Sequence, residues 1–144
     1  MKKVIVFTLL LLGVIGNAQK KEVQEVIDNF FVAFHEKDTI KLKLVCSDKL
    51  ILQSISESAE KGNKLSEESV KEFYKSIAAI PSTLKFKEKI LSSVIQIDGS
   101  MAHVWAPYEF YFNEKLSHSG VNAFTLFKEK DKWQIIYLID TRRK

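Results

Sequence analysis

The sequence predicts an α+β domain in which three N-terminal helices pack on a strongly curved antiparallel sheet, forming a cone with an internal cavity. Three observations lead to this prediction. Residues 19–37 place Val23, Val26, Ile27, Phe30, Phe31 and Phe34 on a single apolar stripe of a helix. Three phenylalanines on one stripe need a broad apolar surface to cover, such as the mouth of a bent sheet. Residues 102–144 divide into strand-like runs joined by short polar turns.

The chain has 144 residues, enough for one hydrophobic core. Residues 1–18 read as a signal peptide, and residues 19–144 as the folded domain. Lys2 and Lys3 precede an apolar run over residues 4–15, and Gly16-Asn17-Ala18 supplies the small residues of a cleavage site. The run is shorter than the roughly 20 residues of a membrane span. The mature domain is therefore expected to be periplasmic or secreted, with no membrane span after cleavage. Loss of the two leader lysines lowers the formal charge from +4 to +2. The remaining lysines are interleaved with Glu and Asp, a solvated surface rather than a nucleic-acid footprint. Cys46 is the only cysteine, so no internal disulfide is expected, and it reads as a buried small hydrophobe.

The elements follow in order. His35 lies off the apolar stripe near the end of the first helix and is expected to be exposed. Asp38-Thr39 breaks that helix and caps a short second one over residues 40–46. Ser47-Asp48 reads as a turn, and residues 49–56 as a strand with Leu50, Leu52 and Ser54 on one face. Residues 57–64 read as a loop around Gly62-Asn63. The third helix is expected to have Ser66 as N-cap, Glu67 and Glu68 in its first turn, Leu65 stapled onto Val70, and its end at Pro81. Residues 85–98 alternate as strand, and Asp98-Gly99-Ser100 forms a hairpin turn. Pro107 is expected to force a bulge or bend. Asn113-Glu114-Lys115 and Lys130-Asp131-Lys132 close the later hairpins.

Strict alternation on the last strand puts Trp133, Ile135, Tyr137, Ile139 and Thr141 on one face, with Thr141 toward the pocket. The other face carries Gln134, Ile136, Leu138, Asp140 and Arg142, with Asp140 and Arg142 placed to pair. Both faces hold large apolar residues, so the second one needs a cover, and a homodimer through the sheet supplies it most simply. His118, Gly120, Asn122, Phe124 and Leu126 share a face that is polar at one end, as a cone requires. His118 also reads as a rim residue, and Asn122 as a buried amide satisfied by backbone groups. Glu109, between aromatics in YEFYF, must pair, shift its pKa or face water. The candidate ligand-binding residues are Phe30, Phe34, Trp105, Tyr108, His118, Asn122, Tyr137 and Thr141. His35, His103 and His118 lack metal-ligand spacing, so no metal site is read. No phosphate loop, nucleophile elbow or dinucleotide fingerprint occurs, and no cofactor is expected.

From the VIDNFFVAF helix to the final WQIIYLIDT strand, the chain resembles the nuclear transport factor 2-like superfamily, also called the ketosteroid isomerase-like or cystatin-like cone. VWAPYEFY, SHSGVNAF and the closing DTRR resemble small exported members described as lumazine-binding or polyketide cyclase-like domains. The resemblance implies helices against a curved sheet, an internal cavity and frequent dimerisation. Enzymes of the superfamily place acids, bases and Tyr inside the cone. Here the first helix offers Phe30, Phe31 and Phe34 where an isomerase would want a Tyr, and the isomerase's pair of inward Asp residues has no counterpart.

Two functions follow from this reading. One is a binding domain for an unidentified small apolar or aromatic ligand. The other is a lyase, isomerase or hydrolase with His118 as general base, oriented by Glu109 or Asn122, and Tyr108 as donor. A dimeric interaction module without a ligand is the third possibility.

Overall fold

The protein is described by a computed structural model covering the backbone of residues 2–144 and side chains from residue 16 onward. The expected leader thus lies largely outside the described side chains. Among the described residues, no helix is long and apolar enough to cross a membrane.

The order is α1 (Lys2–Glu36), α2 (Thr39–Val45), β1 (Cys46–Ser56), β2 (Lys64–Ser69), α3 (Val70–Ala78), β3 (Phe86–Ile90), β4 (Val94–Asp98), β5 (Met101–Phe112), β6 (Lys115–Glu129) and β7 (Lys132–Arg142). The strands form one open sheet in the order β2-β1-β7-β6-β5-β3, with β4 also pairing β5. Every pair is antiparallel except β1 with β7, which is parallel. The core joins Val23, Ile27 and Phe30 of α1 to Val104, Phe124, Leu126 and Ile135 of the sheet. Glu22 fastens α1 to the β6–β7 hairpin by accepting from Trp133 Nε1 at 3.1 Å and Lys128 Nζ at 2.8 Å.

Four expectations are corrected. The first concerns α3, which starts at Ser69 as N-cap, while residues 64–69 form β2. Ser69-Val70-Lys71-Glu72 closes a reciprocal capping box, whereas Ser66 has Ser69 rather than an acid three residues on. The edge of β1 meanwhile offers residues 64–69 a ladder, with Ser54 opposite Ser66. The helix also stops at Ala78, before Pro81. Second, Ser47-Asp48 lies inside β1, where the pairing with β7 shifts between Cys46 and Ile51.

Third, β5 passes through Pro107 with its β6 register intact, Pro107 lying opposite Val121. The interruption falls on the neighbouring edge instead. β3 ends with Ile90 opposite Tyr108, and β4 begins with Val94 opposite Trp105, so the proline faces the gap where no donor is needed. Its carbonyl accepts from Leu91 N–H at 2.9 Å.

Fourth, β7 does not alternate strictly. Thr125 pairs Tyr137 but Leu126 pairs Ile135, which leaves Ile136 as an extra residue. One inserted residue reverses the facing of everything beyond it. Trp133 and Ile135 enter the core, after which Leu138, Asp140 and Arg142 turn inward and Tyr137, Ile139 and Thr141 turn outward.

Candidate functional site

A cavity of about 620 Å³ lies between α1, α3 and the inner face of the sheet. The helices supply an aromatic wall of Phe30, Phe31 and Phe34 from α1 and Phe73 from α3. Phe30 stacks on Phe34 at 6.1 Å and on Phe73 at 6.4 Å, and meets Phe124 edge-on at 5.6 Å. Rings in these geometries hold one another beyond the area they bury.

The strands supply a polar belt. Registers set Ser66, Ser54, Asp140 and Asn122 side by side across β2, β1, β7 and β6. Adjacent rows bring in Tyr108 opposite Gly120, and Glu88, Phe110 and His118 across β3, β5 and β6. Asn122 Nδ2 donates to Glu88 Oε1. Tyr108 shares its one hydroxyl proton between Asp140 Oδ2 at 3.1 Å and the Thr141 carbonyl at 2.9 Å. Arg142 Nε donates to the same Asp140 oxygen at 2.7 Å. Ser54 Oγ is buried without a hydrogen-bond partner among the described residues.

Gly120 makes this arrangement possible. A Cβ there would lie 1.7 Å from the Thr141 oxygen, so only glycine lets that carbonyl lean toward Tyr108. Thr141 Oγ1 then accepts from Val121 N–H at 3.1 Å.

Burial sets the electrostatics. It pushes the Glu88 carboxyl up to about 7, with the Asp140 charge adding to the rise and the Asn122 hydrogen bond and Arg142 opposing it. Tyr108 is raised by burial and then by the charges of Asp140 and Glu88, which keeps its hydroxyl protonated. His118 is lowered by burial and by Arg142, with Asp140 partly offsetting them. Its ring stacks on Phe110 at 4.8 Å and meets Tyr108 edge-on at 5.8 Å. Near neutral pH the cavity therefore holds an imidazole kept neutral and, on the far side of Phe110, a carboxyl that burial keeps partly protonated, two groups able to give or take a proton.

His35 is not the exposed residue its sequence position implied. Its ring contacts Phe34 and Phe86, and Nε2 accepts from Glu88 N–H at 2.9 Å. Burial, and then the Lys87 charge, lower its pKa. The bond fastens the free edge of β3, and with it Glu88, to α1.

Among the sequence-derived candidates, Phe30, Phe34, Tyr108, His118 and Asn122 line the cavity. Trp105, Glu109, Tyr137 and Thr141 do not. Trp105 is 49% exposed on the other face of β5. Tyr137 donates to Gln53, and Thr141 is turned outward by the Ile136 bulge. Glu109 accepts from Tyr111 OH at 2.8 Å and lies 3.5 Å from Lys89, on the opposite face from Tyr108, so it does not orient His118. Asp140 and Arg142 do pair, but within the cavity. Cys46 is buried, which pushes its thiol up to about 12. Among the described residues, no group of three or more His, Cys, Asp or Glu could hold a metal ion.

Glu88 escaped the sequence reading although its signal was present. In FKEKI the inward positions are Phe86, Glu88 and Ile90, which puts one carboxylate on an otherwise apolar face.

No family model matches the sequence, and no curated protein matches it either. Solved structures do match. An NTF2-like protein of unknown function from Shewanella baltica is 16% identical with a TM-score of 0.62, the match covering 88% of this chain and 95% of that one. A protein of unknown function with a cystatin-like fold from Nostoc punctiforme is 16% identical with a TM-score of 0.66, covering 86% and 90%. A provisionally assigned dehydratase of the NTF2-like family from Streptomyces avermitilis is 13% identical with a TM-score of 0.68, covering 90% and 99%. The chain therefore has the NTF2-like, cystatin-like α+β cone fold.

Proposed function

We propose that this chain is an exported small-molecule-binding domain that dimerises through the outer face of its sheet. One observation carries the binding reading: a cavity of about 620 Å³ with an aromatic wall, into whose lining a buried Ser54 hydroxyl projects without a partner. A site that fixes a ligand combines such apolar area with a few oriented polar groups. Export rests on the leader-like residues 1–18. Dimerisation rests on the outer face, where Ile51, Met101 and Trp105 are exposed.

The neutral fluorescent probe N-phenyl-1-naphthylamine tests the binding reading. It is expected to bind the full chain, and Ser54→Leu, which fills space in the cavity, to weaken it about tenfold while holding or raising Tm, because a buried unpaired hydroxyl is removed. Unchanged binding in that variant would put the probe elsewhere and count against the cavity. Light scattering tests the dimer: twice the chain mass is expected, and half of that for Trp105→Glu.

A second reading, proton-transfer catalysis, is favoured by Glu88, which burial raises to about 7, lining the same cavity as Tyr108 and His118. The provisional dehydratase assignment of the Streptomyces avermitilis protein points the same way. Glu88 then takes the acid–base role, and turnover would inflect near that pH and vanish in Glu88→Gln.

A further inference from the structure

The chain as a whole is basic, at +4. Its cavity is not. Among the described residues no lysine lines it, and the one cationic side chain there, Arg142, is already held by Asp140 at 2.7 Å. Of the three other carboxyls that line it, Glu67 lies in the row of Gln53 and accepts from its Nε2 at 2.9 Å, while Glu88 on β3 and Glu68 on β2 lie in the inward rows. Neither takes part in an ion pair among the described residues. Glu88 receives one hydrogen bond, from the Asn122 amide, and Glu68 receives one, from Ser76 Oγ at 3.1 Å.

The unused hydrogen-bonding capacity is richest in acceptors, beside the N–H donors that Arg142 keeps beyond the two it gives Asp140. The second oxygens of Glu88 and Glu68 are acceptors with no partner among the described hydrogen bonds, and the Ser54 hydroxyl can accept as readily as donate. An anionic ligand would meet Glu68, Glu88 and Asp140. A neutral one would leave the carboxyls uncompensated. An ammonium brings three donors and a positive charge, and the phenylalanine rings attract that charge through their faces.

We propose that the ligand is a hydrophobic amine, its ring or chain lying on the Phe30–Phe34–Phe73 wall and its ammonium held between Glu88 and the Ser54–Asn122 stretch of the polar belt. This rests on the binding reading and narrows it to one ligand class. Several groups face Glu88. Asn122 comes from β6, Tyr108 from β5, Asp140 and Arg142 from β7, and the His35 ring of α1 holds its backbone N–H, while His118 of β6 lies beyond Phe110 in the same row. An arriving ammonium favours the ionised carboxylate and so displaces the proton that burial retains there.

Three probes with one apolar body test the inference on the full chain by calorimetry at pH 7.5: 1-naphthylmethylamine, 1-naphthylmethanol and 1-naphthylacetic acid. The amine is expected to bind at least tenfold tighter than the alcohol, and the acid more weakly than either. Near pH 6.5, amine binding should release protons, seen as a heat that changes with buffer ionisation enthalpy, and Glu88→Gln should erase both the preference and the release. Should that variant fold poorly, Glu68→Gln is expected to cut the preference about threefold. Equal binding of amine and alcohol, or tighter binding of the acid, would overturn the inference and leave the binding reading standing. Failure of all three probes overturns it as well, and together with failure of the neutral fluorescent probe would remove the binding reading too.

Discussion

The two walls of the cavity are built by different means and respond to different insults. The helix side is a set of stacked rings, Phe30 on Phe34 and Phe73, with no ionisable group in the stack. The strand side is a chain of polar contacts, Glu88 to Asn122 and Tyr108 to Asp140 to Arg142, in which the protonation of Glu88 and Tyr108 depends on their neighbours. The first wall contributes stability that does not vary with pH. The second carries the pH dependence of Glu88 and Tyr108.

Removing a ring should break the first wall hardest. Phe30→Ala deletes a buried side chain at the centre of the stack. It is expected to cost about 3–5 kcal/mol in urea unfolding, equally at pH 5 and pH 8. A clear difference between the two pH values would mean that the walls are coupled.

Glu88 supplies the contrasting case. Its carboxyl titrates at about 7 in the folded protein against 4.5 ordinarily, so the folded state keeps a proton that the unfolded chain releases. Its contribution is fully present below pH 4.5 and is lost as pH rises through the folded value, roughly 3 kcal/mol in all. His35 and His118, whose pKa values are lowered, act in the opposite sense, favouring the fold as pH rises past their range. The difference between the wild-type chain and Glu88→Gln across pH 4–8 isolates the carboxyl, and a flat difference curve would contradict its burial.

The aromatic wall was legible because a helical stripe repeats over many residues, and no single irregularity can move Phe30, Phe31 and Phe34 off it. The polar wall was legible only in part, through Tyr108, His118 and Asn122, because strand facing has a period of two and one extra residue inverts it. Ile136 is that residue, and it exchanges Tyr137 and Thr141 for Asp140 and Arg142 at the cavity. The same fragility explains Trp105. A bulge at Pro107 would have put Trp105 and Tyr108 on one face, but β5 runs straight through and separates them. His35 left no local trace at all, since its partner's N–H lies 53 residues away on an edge strand.

Smaller effects probe the joints between the walls. Gly120→Ala drives a Cβ against the Thr141 carbonyl and should cost about 2–3 kcal/mol, with Tyr108 losing one of its two acceptors. Tyr108→Phe leaves that carbonyl and Asp140 each short of a donor, for about 1–2 kcal/mol. His35→Leu removes the acceptor of Glu88 N–H together with ring contacts to Phe34 and Phe86, and should cost about 1–2 kcal/mol, with faster amide exchange along β3. Equal exchange in variant and wild type would show that His35 does not hold that edge.

The most direct test of a ligand-holding cavity is native mass spectrometry of the protein purified from its own cells, followed by denaturation and identification of whatever is released. The expected result is a dimer carrying one small molecule per chain, apolar in body and bearing an amine, which departs when the fold is lost. A chain that is empty when isolated gently, and that stays empty when incubated with hydrophobic amines, would contradict it.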